Sequence, residues 1–212
     1  MTTIEVFADV RCPFTHVGIR RFLERRDAAG GGPTLIVRAW PLELVNDAPM
    51  DPAKIGEEID AIRAQVAPDL FTAFTPERFA ATSLPALELA AVAAEQSPEL
   101  GEALAVELRW AHFEEGRDIG DPDVLADLAA AHGLTPPSPD TDLRRTRRDW
   151  AEGKARGVIG SPHFFVGGEA FFCPGLDISH THEGFAIRPD VETFDRFIEV
   201  ALHGPGPERR SS

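Results

Sequence analysis

Residues 4–40 alternate between strand and helix character, and this order constrains the fold more than any other feature of the chain. The run from Ile4 to Ala8 is short, β-branched and aromatic, and a polar break follows it at once, which predicts a buried strand. Pro13 suits the first position of a helix, and that helix ends in the glycine-rich stretch 28–33. Strand character returns from Thr34 to Trp40. This succession predicts two parallel strands joined by a right-handed crossover.

A long helical stretch follows, from residue 51 to residue 156. Its best-defined helix begins after Asp121, whose side chain can cap the first turn, and ends before Gly133, which suits a left-handed conformation. A further helix is expected from about Asp140 to Arg156. No strand signal interrupts this part of the chain, so it predicts an all-helical insertion.

The last part of the chain again has strand character. His163 to Val166 and Glu169 to Phe172 are short strand-like runs joined by a glycine pair, which predicts a hairpin, and a helix is expected from Val191 to Leu202. The sequence therefore predicts an α/β sheet protein with the order βαβ, helical insertion, ββα. The expected division is a discontinuous sheet domain (1–50 and 157–203), a helical subdomain (51–156) and a flexible tail (204–212).

Charge and hydropathy disfavour several classes of partner. The formal net charge is −14, from 21 Lys and Arg against 35 Asp and Glu, which disfavours binding to nucleic acid or to anionic membranes. The longest apolar run, Leu89 to Ala94, is far shorter than the roughly 18–20 residues that span a bilayer. The N-terminus lacks the pattern of a secretory signal, so we expect a cytoplasmic protein. Arginines cluster on one predicted helix as a solvated face that pairs with local acids: Arg144, Arg145, Arg147 and Arg148.

Cys12 lies where the first strand passes into the first helix. Unbonded N–H groups and the positive end of the helix dipole favour thiolate over thiol at such a position. Arg11 adds a positive neighbour, and His16 lies one turn along the same helix. These features predict a nucleophilic thiol with a lowered pKa, and the open alternative is a buried, inert cysteine.

Residues 9–18 (DVRCPFTHVG) resemble the active-site segment of the DsbA-like thioredoxin-fold proteins, in particular their cytoplasmic FrnE-like branch. Similar segments follow in family order at 40–44 (WPLEL), 111–119 (AHFEEGRDI) and 157–165 (GVIGSPHFF). The resemblance implies a thioredoxin fold with a large helical insertion and Cys12 as the nucleophile. It also implies that a cis-proline loop at Ser161 and Pro162 pairs with an extended substrate or with glutathione. Substrate binding is implied for Pro13, Phe14, His16, Ser161 and Pro162.

The motif departs from this family at Thr15. Family members that exchange disulfides carry a second cysteine there, and a threonine hydroxyl cannot resolve a mixed disulfide at neutral pH. What remains is a thiol oxidoreductase with a single active-site cysteine, in which Thr15 hydrogen-bonds the Cys12 sulfur and an outside thiol resolves the mixed disulfide. The expected partner is a small thiol or a thiol of a protein or peptide.

Two other functions stay open. The kappa-class glutathione transferases and 2-hydroxychromene-2-carboxylate isomerases resemble this architecture, with Ser-Pro-aromatic where this chain has Cys12, Pro13 and Phe14. That resemblance implies glutathione-dependent transfer or isomerisation. The third reading is a non-catalytic binding protein of the same fold. In each case we expect no tightly bound cofactor beyond glutathione or another low-molecular-weight thiol, and a homodimer stays open.

Two further segments carry ligand-type residues. Cys173 ends the last predicted strand, and we expect it to be buried and not bonded to Cys12. His180 and His182 alternate along an extended segment, but a solvated loop explains them, so we expect no metal site.

Overall fold

The computed structural model describes residues 3–138, 140–181 and 184–204, and a four-stranded sheet forms its centre. Its strands are β1 (Ile4–Ala8), β2 (Leu35–Ala39), β3 (His163–Val166) and β4 (Glu169–Phe172). β1 runs parallel to β2 and antiparallel to β3, and β3 is antiparallel to β4. Gly167 and Gly168 both have positive φ in the turn between β3 and β4, which is why glycines stand there. In spatial order the strands are β2, β1, β3 and β4.

The helices follow the predicted order. The Asp121 side chain accepts a hydrogen bond from the Asp123 N–H, and Gly133 has a φ of 65°, which confirms both predicted ends of that helix. In chain order the helices are α1 (Pro13–Ala28), α2 (Leu42–Val45), α3 (Pro52–Gln65), α4 (Leu84–Gln96), α5 (Pro98–Phe113), α6 (Pro122–Ala131), α7 (Arg144–Ala155) and α8 (Val191–His203).

α7 begins later than the sequence predicts. The expected start was about Asp140, but the preceding segment forms a turn in which the Thr141 N–H bonds the Ser138 carbonyl. Two of its arginines pair as expected, because Arg145 and Arg148 both bond Glu95.

Apolar side chains pack on both sides of the sheet. One cluster joins the sheet to α1 and α8 and includes Ile4, Phe22, Phe164 and Phe197, all fully buried. Another cluster lies among α4, α5 and α6 and reaches Ala39 of β2. The α/β order βαβ, helices, ββα is therefore as predicted, and the helical stretch packs against the β2 side of the sheet.

The sequence missed a second, two-stranded sheet between β4 and α8. Its strands are β5 (Leu176–Thr181) and β6 (Gly184–Pro189), which pair antiparallel and pack on α3. His180 was interpreted as part of a loop and instead lies in β5, whereas His182 lies outside the described residues. In the described ranges, no group of three His, Cys, Asp or Glu could hold a metal ion.

Within the same described ranges, no helix is long and apolar enough to cross a membrane.

Candidate active site

Cys12 is the N-cap of α1, at the end of β1 and against the loop that precedes β3. Pro13 takes the first helical position, as its fixed φ predicts. The Cys12 thiol donates a hydrogen bond to the Ser161 carbonyl, with 3.1 Å between sulfur and oxygen. Only 4% of Cys12 is exposed, so its environment is that of a buried group.

The loop at Ser161 is tied to both β1 and α1. The Ser161–Pro162 peptide bond is cis. The Ser161 hydroxyl accepts a hydrogen bond from the Asp9 N–H at 2.9 Å and lies 2.7 Å from the Thr15 hydroxyl. Thr15 is fully buried. Because Asp9 and Thr15 both hold the Ser161 side chain, they keep the Ser161 carbonyl beside the Cys12 sulfur.

The expected lowering of the Cys12 pKa is wrong. Burial is the largest influence and raises the pKa of the Cys12 thiol to about 11, because a thiolate would lose its hydration. Hydrogen bonds from the Thr15 side chain and N–H act in the opposite direction, as expected for Thr15, but they do not outweigh burial. The nearby charge of Glu58 raises the pKa further. Cys12 is thus a thiol at neutral pH.

His16 does not face the substrate side of Cys12, contrary to the role implied for it. Its Nε2 lies 2.8 Å from a Glu114 carboxylate oxygen, and its ring packs against Phe71 and Phe113. Burial lowers the pKa of His16, although the bond to Glu114 acts to raise it. His16 therefore joins α1 to the helical part of the chain and is left out of the candidate site.

Arg11 is fully buried and does not point to solvent. It donates to the Ala80 carbonyl at 3.0 Å and to the Glu43 carboxylate at 2.9 Å. The buried Asp9 carboxylate accepts from the Arg11 N–H and the Ser83 hydroxyl. Sequence reasoning missed this network, although Asp9 and Glu43 follow the ends of two adjacent strands and so were placed to meet.

A groove of about 370 Å³ opens beside Cys12. The structure brings together four of the predicted residues there, while Pro162 lies behind them against Gly18. Glu58 and Lys54 of α3 also line it, and no motif or spacing in the sequence singles them out. The groove is lined by Cys12, Pro13, Phe14, Leu42, Asn46, Ala48, Pro49, Met50, Asp51, Lys54, Ile55, Glu58 and Ser161.

Cys173 is buried, and both cysteines are free, as predicted. Its N–H donates to the Pro162 carbonyl at 2.9 Å, which places it directly behind the cis-proline loop. Burial raises the pKa of the Cys173 thiol to about 12.

A comparison with models of protein families identifies the family of this chain. The model of the DSBA-like thioredoxin domain matches residues 3–183. The chain belongs to this family. Its βαβ and ββα parts are the thioredoxin-like sheet, and a helical insertion lies between them. A search of curated protein sequences found no match.

Several solved structures have the same fold as this chain. A probable DsbA oxidoreductase from Streptomyces coelicolor is 19% identical, with a TM-score of 0.64 over 100% of this chain and 94% of that chain. The cytosolic disulfide reductase DsbM from Pseudomonas aeruginosa is 19% identical, with a TM-score of 0.51 over 93% and 97%. A 2-hydroxychromene-2-carboxylate isomerase is 14% identical, with a TM-score of 0.57 over 80% and 88%. At these identities the likeness establishes the fold alone.

Proposed function

We propose that this chain is a thiol oxidoreductase that works through Cys12 alone. The observation that carries the proposal is the pairing of a groove-lining Cys12 with Thr15 at the position of the usual second cysteine. The Cys12 sulfur attacks a disulfide, one sulfur of which bonds to Cys12 while the other leaves as a thiol. An external thiol then attacks the mixed disulfide and restores Cys12, so the proposed enzyme is a FrnE-type oxidoreductase with a single active-site cysteine.

The Ser161 carbonyl can bind the substrate backbone once the Cys12 thiol has reacted. In the resting protein, the Ser161 carbonyl accepts the hydrogen bond of the Cys12 thiol. Once the sulfur loses its proton or forms a disulfide it can no longer donate, so that carbonyl is free to accept an N–H from an extended substrate. Pro13 and Phe14 would contact the same substrate from α1.

The proposed substrates are the disulfides of glutathione or of another low-molecular-weight thiol, or of a peptide or protein. No tightly bound cofactor is part of this mechanism. The proposed location is the cytoplasm, where the glutathione pool would supply the external thiol.

The test is the covalent state of Cys12 after incubation with glutathione disulfide at pH 7. We expect intact-mass analysis to show one glutathione adduct on the wild-type chain, peptide mapping to place it on Cys12, and added reduced glutathione to remove it. Cys12→Ser should form no such adduct, whereas Cys173→Ser should behave as wild type. An absence of any Cys12 adduct, together with turnover of a 2-hydroxychromene-2-carboxylate in the presence of reduced glutathione, would support the isomerase function instead.

A further inference from the structure

The proposed exchange needs a destination for the proton of Cys12. At neutral pH that sulfur carries its proton, because burial raises its pKa to about 11. The Ser161 carbonyl that receives the thiol hydrogen bond is not a base, and the Thr15 hydroxyl is engaged with the Ser161 hydroxyl. His16, one turn along α1, is bonded to Glu114 away from the groove.

The carboxylates that line the groove are Asp51 and Glu58. Asp51 is exposed and caps α3 by accepting the Ala53 N–H at 3.0 Å. Glu58 lies about two turns further along α3 and is partly buried. It accepts no hydrogen bond from any residue in the described ranges. Lys54 is the remaining charged group of the lining and is exposed. Glu58 is thus the carboxylate in this groove with its oxygens free to take a proton.

We propose that the Glu58 carboxylate accepts the proton of the Cys12 thiol as the sulfur attacks a disulfide, and returns it to the sulfur that leaves. In the first half the S–H bond of Cys12 breaks and an O–H bond forms on Glu58. In the second half the new S–S bond forms on Cys12, the substrate S–S bond breaks, and the leaving thiolate takes the proton from Glu58. The inference rests on the proposed function, since it describes the same reaction.

Electrostatics favour this path. The Glu58 charge acts on Cys12 across the groove and disfavours a thiolate while the carboxylate is ionised. Transfer of the proton from sulfur to carboxylate leaves one negative charge in the groove, whereas loss of the proton to solvent would leave two. Burial also raises the pKa of Glu58 to about 7, where a proton acceptor works well in both directions at neutral pH.

The test compares Glu58→Gln with Glu57→Gln, because Glu57 is an exposed neighbour on the same helix. The rate of Cys12 adduct formation with glutathione disulfide is measured from pH 5 to pH 11, and the thiolate fraction is followed by absorbance. At pH 7 we expect Glu58→Gln to react at least tenfold more slowly, although its Cys12 titrates at lower pH because the neighbouring charge is gone. Glu57→Gln should stay within twofold of wild type.

The pH profile separates a proton acceptor from a merely structural residue. The deficit of Glu58→Gln should vanish at a pH where the Cys12 thiolate forms without help. A Glu58→Gln rate equal to or above wild type at pH 7, or a deficit that is the same at every pH, would overturn the proposal. A wild-type chain that forms no Cys12 adduct at any pH would instead defeat the proposed function itself.

Discussion

Two glutamates from the helical part of the chain approach the first turns of α1, and their surroundings differ sharply. Glu114 binds His16 and also accepts the N–H groups of Phe71 and Thr72, at 2.8 and 3.0 Å. Burial would raise its pKa, but these hydrogen bonds lower the pKa of Glu114 to about 2. In the part of the chain that the structure describes, no group donates a hydrogen bond to Glu58, and burial raises its pKa to about 7. The count of donors, more than burial, decides which way a carboxylate shifts.

This contrast separates structural from reactive groups around α1. A carboxylate held by several donors stays ionised throughout the neutral range and cannot exchange protons there. A carboxylate without donors changes its protonation near neutral pH. Glu114 therefore stabilises the fold, whereas Glu58 is available for chemistry beside Cys12.

The largest expected effect is on stability, from Glu114→Ala. The substitution leaves buried donors of His16, Phe71 and Thr72 without an acceptor, so we expect a loss of about 3 kcal/mol in the free energy of unfolding. Urea denaturation at pH 7 measures it, with the exposed neighbour change Glu115→Ala as the control. A loss below about 1 kcal/mol would show that the Glu114 hydrogen bonds do not hold the two parts of the fold together.

The two glutamates should also give opposite pH dependence of stability. The pKa of Glu114 is lower in the folded state, so its contribution is present above its ordinary pKa of 4.5 and is lost as pH falls from 4.5 toward 2. The pKa of Glu58 is higher in the folded state, so its contribution is present below 4.5 and is lost as pH rises through 7.

Glu58→Gln should therefore be more stable than wild type at pH 8, by about 1 kcal/mol after allowance for solvent screening, with a smaller difference at pH 5. Thermal unfolding at the two pH values measures this. An equal difference at both values would show that Glu58 is not titrating between them.

Local signals account for the parts of the fold that the sequence predicts. Pro13 at a helix start, the Asp121 cap and the glycine pair 167–168 each act within a few residues, and each is found as expected. The hairpin of β5 and β6 has no comparable signal. The Gln65 side chain of α3 bonds the Phe185 carbonyl and the Ile187 N–H, so contacts far apart in the sequence hold this hairpin.

The same distinction applies to the candidate site. The resemblance predicted that Cys12, Thr15 and Ser161 lie together, and the structure joins them by hydrogen bonds. The pKa of Cys12 depends on how far the folded chain buries the sulfur, and no local sequence pattern predicts that burial. How α1 packs against α3 and α5 decides that the His16 side chain points to Glu114 and that Glu58 lines the groove beside Cys12. Sequence reasoning therefore missed both.

The smallest effect is expected for Cys173→Ala, which tests whether a second thiol takes part beside Glu58. Cys173 has a φ of 46°, and alanine meets the same backbone restriction, so the substitution removes little besides the sulfur. The N–H that bonds the Pro162 carbonyl is retained. We expect the rate of Cys12 adduct formation to stay within twofold of wild type, and stability to fall by about 1 kcal/mol or less. Non-reducing peptide mapping after mild oxidation checks the wild-type chain in parallel. A Cys12–Cys173 cross-linked peptide in high yield would show that the thiol which resolves the mixed disulfide is internal, and that Cys12 does not work alone.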